Sequence, residues 1–183
     1  FLKFPNILEA KINTKNDTVN TTKKVKILES LNIGSSYNIF ADSLNLNDIN
    51  LNARTRFLDL IDLNFSSRYD PYIANTNQNN NLNQLELNKN GRLARFTNAN
   101  ATLGLNISNN SFKNKKQDSK PKIQWNLNAN YSINYNKGYR SSEYADTIQS
   151  LNFSGDIKIT DKWKFNFRSG YDFDTKKLTY SSI

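Results

Sequence analysis

A strict two-residue alternation runs through residues 123–135, which read "IQWNLNANYSINY". Every odd position is apolar or aromatic, and every even position is polar. Successive side chains of a β-strand point to opposite faces, so the segment predicts a strand with one apolar and one polar face. The apolar face of such a strand packs either on a protein core or against lipid.

The same period-two pattern recurs along most of the chain and predicts about nine strands. Several of them span roughly nine to sixteen residues, longer than the 5–6 residues usual in soluble sheets. A tilted strand that crosses a bilayer needs about 9–11 residues. The predicted strands cover residues 6–14, 30–40, 49–57, 62–70, 93–108, 123–135, 149–160 and 163–173, and a last one that starts near residue 178.

Composition by itself is polar, with 37% hydrophobic residues, a mean hydropathy of -0.74 and about one Asn in six residues. Average hydropathy of this kind leans toward disorder. The aromatic content of 12% and the regular alternation instead indicate half-buried strands. The net charge of +9 is typical of a basic solvated surface, or of attraction to nucleic acid, anionic membrane or lipid headgroups.

Catalytic chemistry has few candidate residues in this chain. Cys and His are both absent, which removes thiol chemistry, disulfides and the commonest metal ligand and general base. The available carboxylates lie mainly in predicted turns, where Asp is common for local backbone hydrogen bonding. We therefore expect no enzyme activity, no catalytic residue, no metal and no cofactor.

The connections between predicted strands are of two lengths. "LDLI", "TDK" and "DTKK" are short, whereas the regions 71–92 and 137–147 are long and polar. Short turns at one end and long loops at the other are typical of outer-membrane barrels. The connection 109–122 departs from this rule, because counting strands places a long segment at the short-turn end.

Aromatic residues near the predicted strand ends help to choose between lipid and a protein core. Trp and Tyr favour the level of the lipid headgroups, with the ring in apolar surroundings and the N–H or O–H in water. Any one of them alone fits core packing equally well, but their repeated placement favours a barrel over a soluble β-sandwich. This predicted aromatic girdle comprises Tyr37, Phe57, Tyr69, Trp125, Tyr135, Trp163 and Phe173.

The distance from Trp125 to Tyr135 fits a membrane. Ten residues at ~3.3 Å each span about 33 Å along a strand. A tilt of about 45° projects this to roughly 23 Å, close to the ~25 Å apolar band of outer-membrane barrels.

Several segments in series resemble the LptD-like lipopolysaccharide-assembly proteins of the Bacteroidota, in the late part of their barrel domain. The most specific are "SYNIFADSLNL", "YDPY", "GRLARFTN" and "TDKWKFNFRSGYDF", and the resemblance extends over residues 7–183. It implies an all-β, antiparallel transmembrane β-barrel segment in the bacterial outer membrane. Residues 1–183 would be part of one barrel domain, an internal segment of a longer chain. The periplasmic domain and the remaining strands would lie outside these residues.

The resemblance also implies a function without covalent chemistry. Such proteins accept lipopolysaccharide from a periplasmic transport bridge and release it into the outer leaflet through a lateral opening between the first and last strands. A plug lipoprotein usually occupies the lumen. The expected partners are therefore lipopolysaccharide, outer-membrane lipid, a plug lipoprotein and the periplasmic bridge proteins.

Basic residues on the polar face would line the lumen of such a barrel. They would attract an anionic headgroup through charge-assisted hydrogen bonds, or they would pair with neighbouring carboxylates. These residues are Arg54, Arg56, Arg68, Lys158, Lys164 and Arg168.

Two other functions fit the same pattern. Another barrel of the same envelope, such as a protein-secretion translocon or a nutrient transporter, shares the physics. A soluble basic β-sheet module for nucleic acid or glycans would explain the charge and the aromatics. We find no compact basic-aromatic motif, however, and expect no nucleic-acid partner.

Overall fold

A computed structural model describes residues 2–16, 19–57, 60–75, 77–78, 80–112, 123–137 and 145–182. Within these residues the elements are β1 (Leu2–Asn16), β2 (Val19–Ser35), β3 (Ile49–Phe57), β4 (Ile61–Asp70), β5 (Tyr72–Asn75), β6 (Asn80–Leu85), α1 (Glu86–Asn90), β7 (Arg95–Ser108), a 3₁₀ turn (Asn109–Phe112), β8 (Gln124–Lys137), β9 (Ala145–Lys158), β10 (Lys164–Asp172) and β11 (Lys177–Ser182).

Nine of the described strands form one antiparallel sheet in the order β1-β2-β3-β4-β7-β8-β9-β10-β11, and β5 and β6 form a separate hairpin. Each strand of the large sheet therefore pairs with its neighbours along the chain, interrupted only by that hairpin. The all-β, antiparallel prediction is confirmed. Among the described residues β1 and β11 are the two edges of the sheet and do not pair with each other.

The second strand differs from its predicted bounds. It begins at Val19 and ends at Ser35, whereas the sequence predicted a strand over residues 30–40. Beyond Ser35 the chain folds back on itself, since Asn38 N–H donates to Asn45 O at 2.7 Å and Asn47 N–H donates to Ser36 O at 2.8 Å. The prediction that Tyr37 and Ile39 continue the apolar face of this strand was wrong, because both lie in the folded loop.

The region 71–92, predicted as one long polar loop, contains the hairpin β5-β6 and the helix α1. The Asn75 side chain accepts the N–H groups of Asn77 and Gln78 and so shapes the hairpin turn. Gly91 adopts φ 67° and ends α1, with its N–H donating to Leu87 O. This polar, turn-favouring region thus also forms a short hairpin and a short helix.

The connections lie at two ends of the sheet, because the strands alternate in direction. We call the end of the sheet that holds Phe57, Ile61, Ser108, Gln124, Lys158 and Lys164 the turn end, and the end that holds Ser35, Ile49, Asp70, Arg95, Lys137, Ala145, Asp172 and Lys177 the loop end. The short segment "DTKK" therefore lies at the loop end, where long loops were expected. Parts of 109–122 and 137–147, two of the connections considered above, lie outside the described residues.

The strand register gives the sheet two continuous faces. One row of paired residues that crosses six strands is polar, and runs Arg54, Asn64, Thr102, Ser132, Ser150 and Asp172. The adjacent row on the opposite face runs Thr55, Leu63, Leu103, Tyr131, Leu151 and Tyr171. The alternation in each strand is thus kept in phase with its neighbours.

A bulge in β7 preserves this phase at the loop end. The register shifts between the pairs Arg68–Asn98 and Tyr69–Phe96, so Thr97 is the extra residue. Strict alternation would place Phe96 on the polar face with Asn98. The bulge turns it to the apolar face, and Thr97 Oγ1 donates to Arg68 O at 2.9 Å.

The apolar face is not covered by a second layer in the described part of the chain. Leu63, Leu103, Ile157 and Phe165 lie on four different strands and are 39%, 43%, 39% and 45% exposed. The buried apolar side chains among the described residues, Pro71, Tyr72 and Ile73, lie just before and within β5 rather than in the large sheet. The apolar side chains of the sheet therefore do not form a protein core here.

Candidate functional site

The polar face brings together the six cations predicted to line a lumen. Register pairs Arg54 with Asn64, Arg56 with Asp62 and Arg68 with Asn50. Nearer the β11 edge of the sheet, Lys158 of β9 pairs with Lys164 of β10, and Ser154 of β9 pairs with Arg168 of β10. All six side chains therefore belong to one face, as the alternation predicted.

Five of the six cations have a carboxylate partner. Arg56 Nε lies 2.7 Å from Asp62 Oδ1, and Arg54 lies 3.8 Å from the same carboxylate and 4.0 Å from Glu29. The remaining pairs are Arg68–Asp48 at 3.8 Å, Lys158–Asp161 at 2.8 Å and Lys164–Asp156 at 3.7 Å. These side chains are largely exposed, so each pair contributes little stability, about 0–1 kcal/mol. Their positive charge is already partly balanced.

Arg168 is the exception within the described residues, where no carboxylate lies within ion-pair distance of it. It lines an open cleft of about 330 Å³ together with Asn128, Asn152, Ser154 and Tyr180, and the Asp62 carboxylate, which is paired with Arg56, also lines this cleft. Tyr180 donates its hydroxyl hydrogen to Asn152 Oδ1 at 3.3 Å. A guanidinium among amide and hydroxyl groups can bind an anion through bidentate hydrogen bonds.

Aromatic side chains cluster on the apolar face at the loop end. Phe96 lies between Tyr69 and Tyr135, with ring centroids 5.5 Å and 5.2 Å apart. Phe173 makes edge contacts with Tyr131 and Tyr171 at 5.8 Å and 5.0 Å. Sequence reasoning included Tyr69, Tyr135 and Phe173 but missed Phe96. Its position on the apolar face depends on the bulge.

A separate aromatic row, formed by Phe57, Trp125 and Trp163, lies at the turn end. Following the paired residues from Phe57 across β4 and β7 reaches Ala129 in β8, and Trp125 lies four residues closer to the turn end than Ala129. Continuing across β9 reaches Ser169 in β10, and Trp163 lies six residues closer to the turn end than Ser169. The row thus shifts six residues toward the turn end over five strand-to-strand steps. With ~3.3 Å per residue and ~4.8 Å between strands, the row lies about 40° from the perpendicular to the strands.

Tyr37 belongs neither to the aromatic cluster at the loop end nor to the aromatic row at the turn end. It lies in the loop 36–48, is 61% exposed and forms an isolated bridge with Leu46. The sequence placed it at a strand end only because β2 was expected to continue to residue 40.

A cap closes over the loop end of the polar face. We define the cap as residues 36–48, 72–75, 77–78 and 80–90. Its two parts are joined because Leu46 N–H donates to Tyr72 Oη at 2.8 Å and Leu44 N–H donates to Asn83 Oδ1 at 3.1 Å. The cap is therefore one folded unit rather than two independent loops.

Asp70 anchors this cap to the sheet. Its side chain is 3% exposed and accepts from Tyr72 N–H at 2.9 Å, Asn81 Nδ2 at 2.8 Å and Arg95 Nη2 at 2.8 Å. Arg95 is itself only 16% exposed. A buried carboxylate with three donors holds the end of β4, the start of β7 and both strands of the hairpin together.

Asp48, at the end of the loop 36–48, shares this environment. Burial raises the pKa of its carboxyl group above the ordinary value of 3.8, and the negative charge of Asp70 acts in the same direction. The positive charges of Arg68 and Arg95 oppose this rise in pKa. Asp48 is thus a partly desolvated acceptor at the edge of the cap.

No group of three or more His, Cys, Asp or Glu side chains among the described residues could hold a metal ion. A helix of sufficient length and apolarity to span a membrane is likewise not found in the described part of the chain.

A comparison with protein-family models matches residues 2–72 to a family described as "LptD protein". The match covers less than half of the chain, from β1 to the start of β5. It includes Arg54, Arg56 and Arg68 of the polar face. It also includes Phe57 of the aromatic row at the turn end and Tyr69 of the aromatic cluster at the loop end. No curated protein and no solved structure matches the chain.

Proposed function

We propose that this chain is part of the wall of an outer-membrane β-barrel that inserts lipopolysaccharide into the outer leaflet. The observation that carries the membrane part of this proposal is the aromatic row of Phe57, Trp125 and Trp163 on an uncovered apolar face. A row that follows the membrane plane must run oblique to tilted strands, and barrel strands tilt by 35–45°. The register and the usual strand spacings give about 40° for the row of Phe57, Trp125 and Trp163.

The lipopolysaccharide part is supported by the family match and by the charge of the polar face. The match to the "LptD protein" family covers residues 2–72. Lipopolysaccharide headgroups are anionic, and Arg168 offers them a guanidinium without a carboxylate partner in the described part of the chain. The paired cations offer weaker attraction, since neighbouring carboxylates offset their charge.

In this proposal the polar face is the inner wall along which a polar headgroup moves. The apolar face meets lipid, and the turn end faces the periplasm because short turns do so in barrels of this kind. Transfer needs no bond to be made or broken, so the chain acts without catalytic residues or cofactors. A plug lipoprotein and periplasmic bridge proteins are the expected partners.

The test uses the full-length gene product in cells depleted of the native copy. We expect depletion to reduce newly made lipopolysaccharide at the cell surface and the wild-type gene to restore it. The Arg168→Glu variant should assemble in the membrane but restore surface lipopolysaccharide poorly. Normal surface lipopolysaccharide after full depletion would instead favour a secretion translocon or a nutrient transporter.

A further inference from the structure

An open cleft of about 780 Å³ lies where the cap meets the polar face of β2, β3 and β4. Its floor is formed by Asn32, Asn50 and Asn52, one side by Asp48 and Arg68, and the roof by cap residues that include Tyr72. The volume lies within the roughly 300–1,000 Å³ typical of small-molecule sites. We propose that this cleft is a saccharide-binding site.

The floor has the hydrogen-bonding pattern that a sugar requires. Asn32 and Asn52 pair in register across β2 and β3, so their side chains lie side by side on the polar face. Among the described residues neither side-chain amide hydrogen-bonds to another group. Each amide offers two donor hydrogens and one acceptor oxygen in a plane. Adjacent hydroxyls of a sugar ring, which both donate and accept, match that arrangement.

The charge of the cleft favours hydroxyl groups over a free anion. Asp48 Oδ2 and Arg68 Nε lie 3.8 Å apart, so one negative and one positive group nearly cancel. The carboxylate accepts hydrogen bonds from hydroxyls, and the guanidinium donates to hydroxyl and ring oxygens. Leu44 and Leu46 add an apolar surface against which the C–H groups of a sugar ring can pack.

The cleft is already formed without a ligand. Buried Asp70 holds Tyr72 and Asn81 in place, and Tyr72 Oη in turn accepts from Leu46 N–H. Binding therefore does not need to order the cap, which lowers its entropic cost. The proposal goes beyond the transport role, since the cleft can hold either the headgroup of a glycolipid or a free glycan.

The experiment measures sugar binding to the full-length gene product in detergent by isothermal titration. The first probe is the lipid-free oligosaccharide released from purified lipopolysaccharide by mild acid, and the second is lipid A alone. Asn52→Leu fills the floor of the cleft with an apolar side chain. Asn64→Leu is the matched control, because Asn64 is also an exposed Asn on the polar face but does not line the cleft.

We expect the wild type and Asn64→Leu to bind the oligosaccharide, and Asn52→Leu to bind it about fivefold to tenfold more weakly, as for the loss of one or two hydrogen bonds. Equal affinity of all three proteins, or binding of lipid A without oligosaccharide, would overturn the proposal. Competition by intact lipopolysaccharide would identify a glycolipid headgroup as the ligand. Oligosaccharide binding without such competition would identify a free glycan. Surface lipopolysaccharide in the depletion experiment is scored separately and tests the transport role alone.

Discussion

Asp70 and Arg95 form a buried ion pair, 2.8 Å apart, that joins the last residue of β4 to the first residue of β7. The twenty-four residues between them include the hairpin and helix of the cap. Because Asp70 also accepts from Tyr72 and Asn81, one carboxylate links the cap to the sheet. The position of the cap should therefore depend on this single side chain.

Asp70→Ala should destabilise the cap by about 3–5 kcal/mol, because the substitution removes the buried carboxylate that accepts from Tyr72, Asn81 and Arg95. The measurement is hydrogen exchange of the Leu46 and Glu86 amides, which donate to Tyr72 Oη and Pro71 O. Asp62→Ala is the control. The Asp62 and Arg56 side chains of that ion pair are each 40% exposed, so the pair should contribute no more than about 1 kcal/mol. Equal protection in the two variants would contradict the anchoring role.

The apolar face should tolerate no charge if it meets lipid. An Arg at Leu127 or Ala129, near the middle of β8, should cost about 2–4 kcal/mol in the membrane and reduce assembly of the barrel. The same change at Asn128, on the polar face, should have little effect. Heat-modifiable migration in detergent gel electrophoresis measures the folded fraction. If only the Asn128 variant fails to assemble, the apolar face packs on protein instead.

Gly155 and Gly104 should respond differently to the same substitution. A Cβ on Gly155 would lie 2.5 Å from Phe167 Cζ and 2.7 Å from Asn126 O, whereas the nearest atoms to a Cβ on Gly104 are 3.8 Å away. Gly155→Ala should therefore destabilise the sheet by about 1–3 kcal/mol through overpacking. Gly104→Ala should be neutral or slightly stabilising. Urea midpoints in detergent compare the two variants, and equal midpoints would show that the ring of Phe167 does not need the glycine.

Arg168 should matter more for anion binding than the paired cations do. Arg168→Gln removes a guanidinium without a carboxylate partner in the described part of the chain. It should weaken lipopolysaccharide binding about threefold to tenfold at low salt, and less at physiological salt, where screening is stronger. Arg56→Gln should have a smaller effect, since Asp62 already offsets its charge. Titration of each variant with lipopolysaccharide at two ionic strengths measures the affinities. A larger loss of affinity for Arg56→Gln than for Arg168→Gln would contradict the anion-binding role of Arg168.

Asp48 should make the stability of the cap depend on pH. Burial raises the pKa of its carboxyl group in the folded protein above 3.8, the ordinary value. A raised pKa contributes stability that is fully present below the ordinary value and is lost as pH rises through the folded-state value. Asp48→Asn should thus become more stable than the wild type as pH rises through that window, and the two should converge below it. Hydrogen exchange of the Leu46 amide against pH measures the difference, and a constant gap would contradict it.

Residue alternation correctly predicted much of the sheet. The bounds of β3 agree with the prediction, and those of β4, β8 and β10 differ by no more than two residues. Alternation also predicted that Arg54 and Arg168 share a face, because a period of two assigns each residue to a side. The failures lie at the loop end. Ser35 and Tyr37 are both compatible with a strand, and the fold of the loop 36–48 depends on contacts with Tyr72 and Asn83 far along the chain.

The strands, their two faces and the charge of the polar face follow from the amino-acid sequence, since they depend on neighbouring residues and on a fixed backbone period. Which cations are paired depends on the tertiary fold, because an ion pair such as Lys164–Asp156 joins different strands through their register. The place of Phe96 depends on it too, since a bulge turns this ring to the apolar face. The cap and its cleft also depend on the tertiary fold, since Asp70 accepts from donors on β5, β6 and β7, and no local sequence pattern brings those donors together.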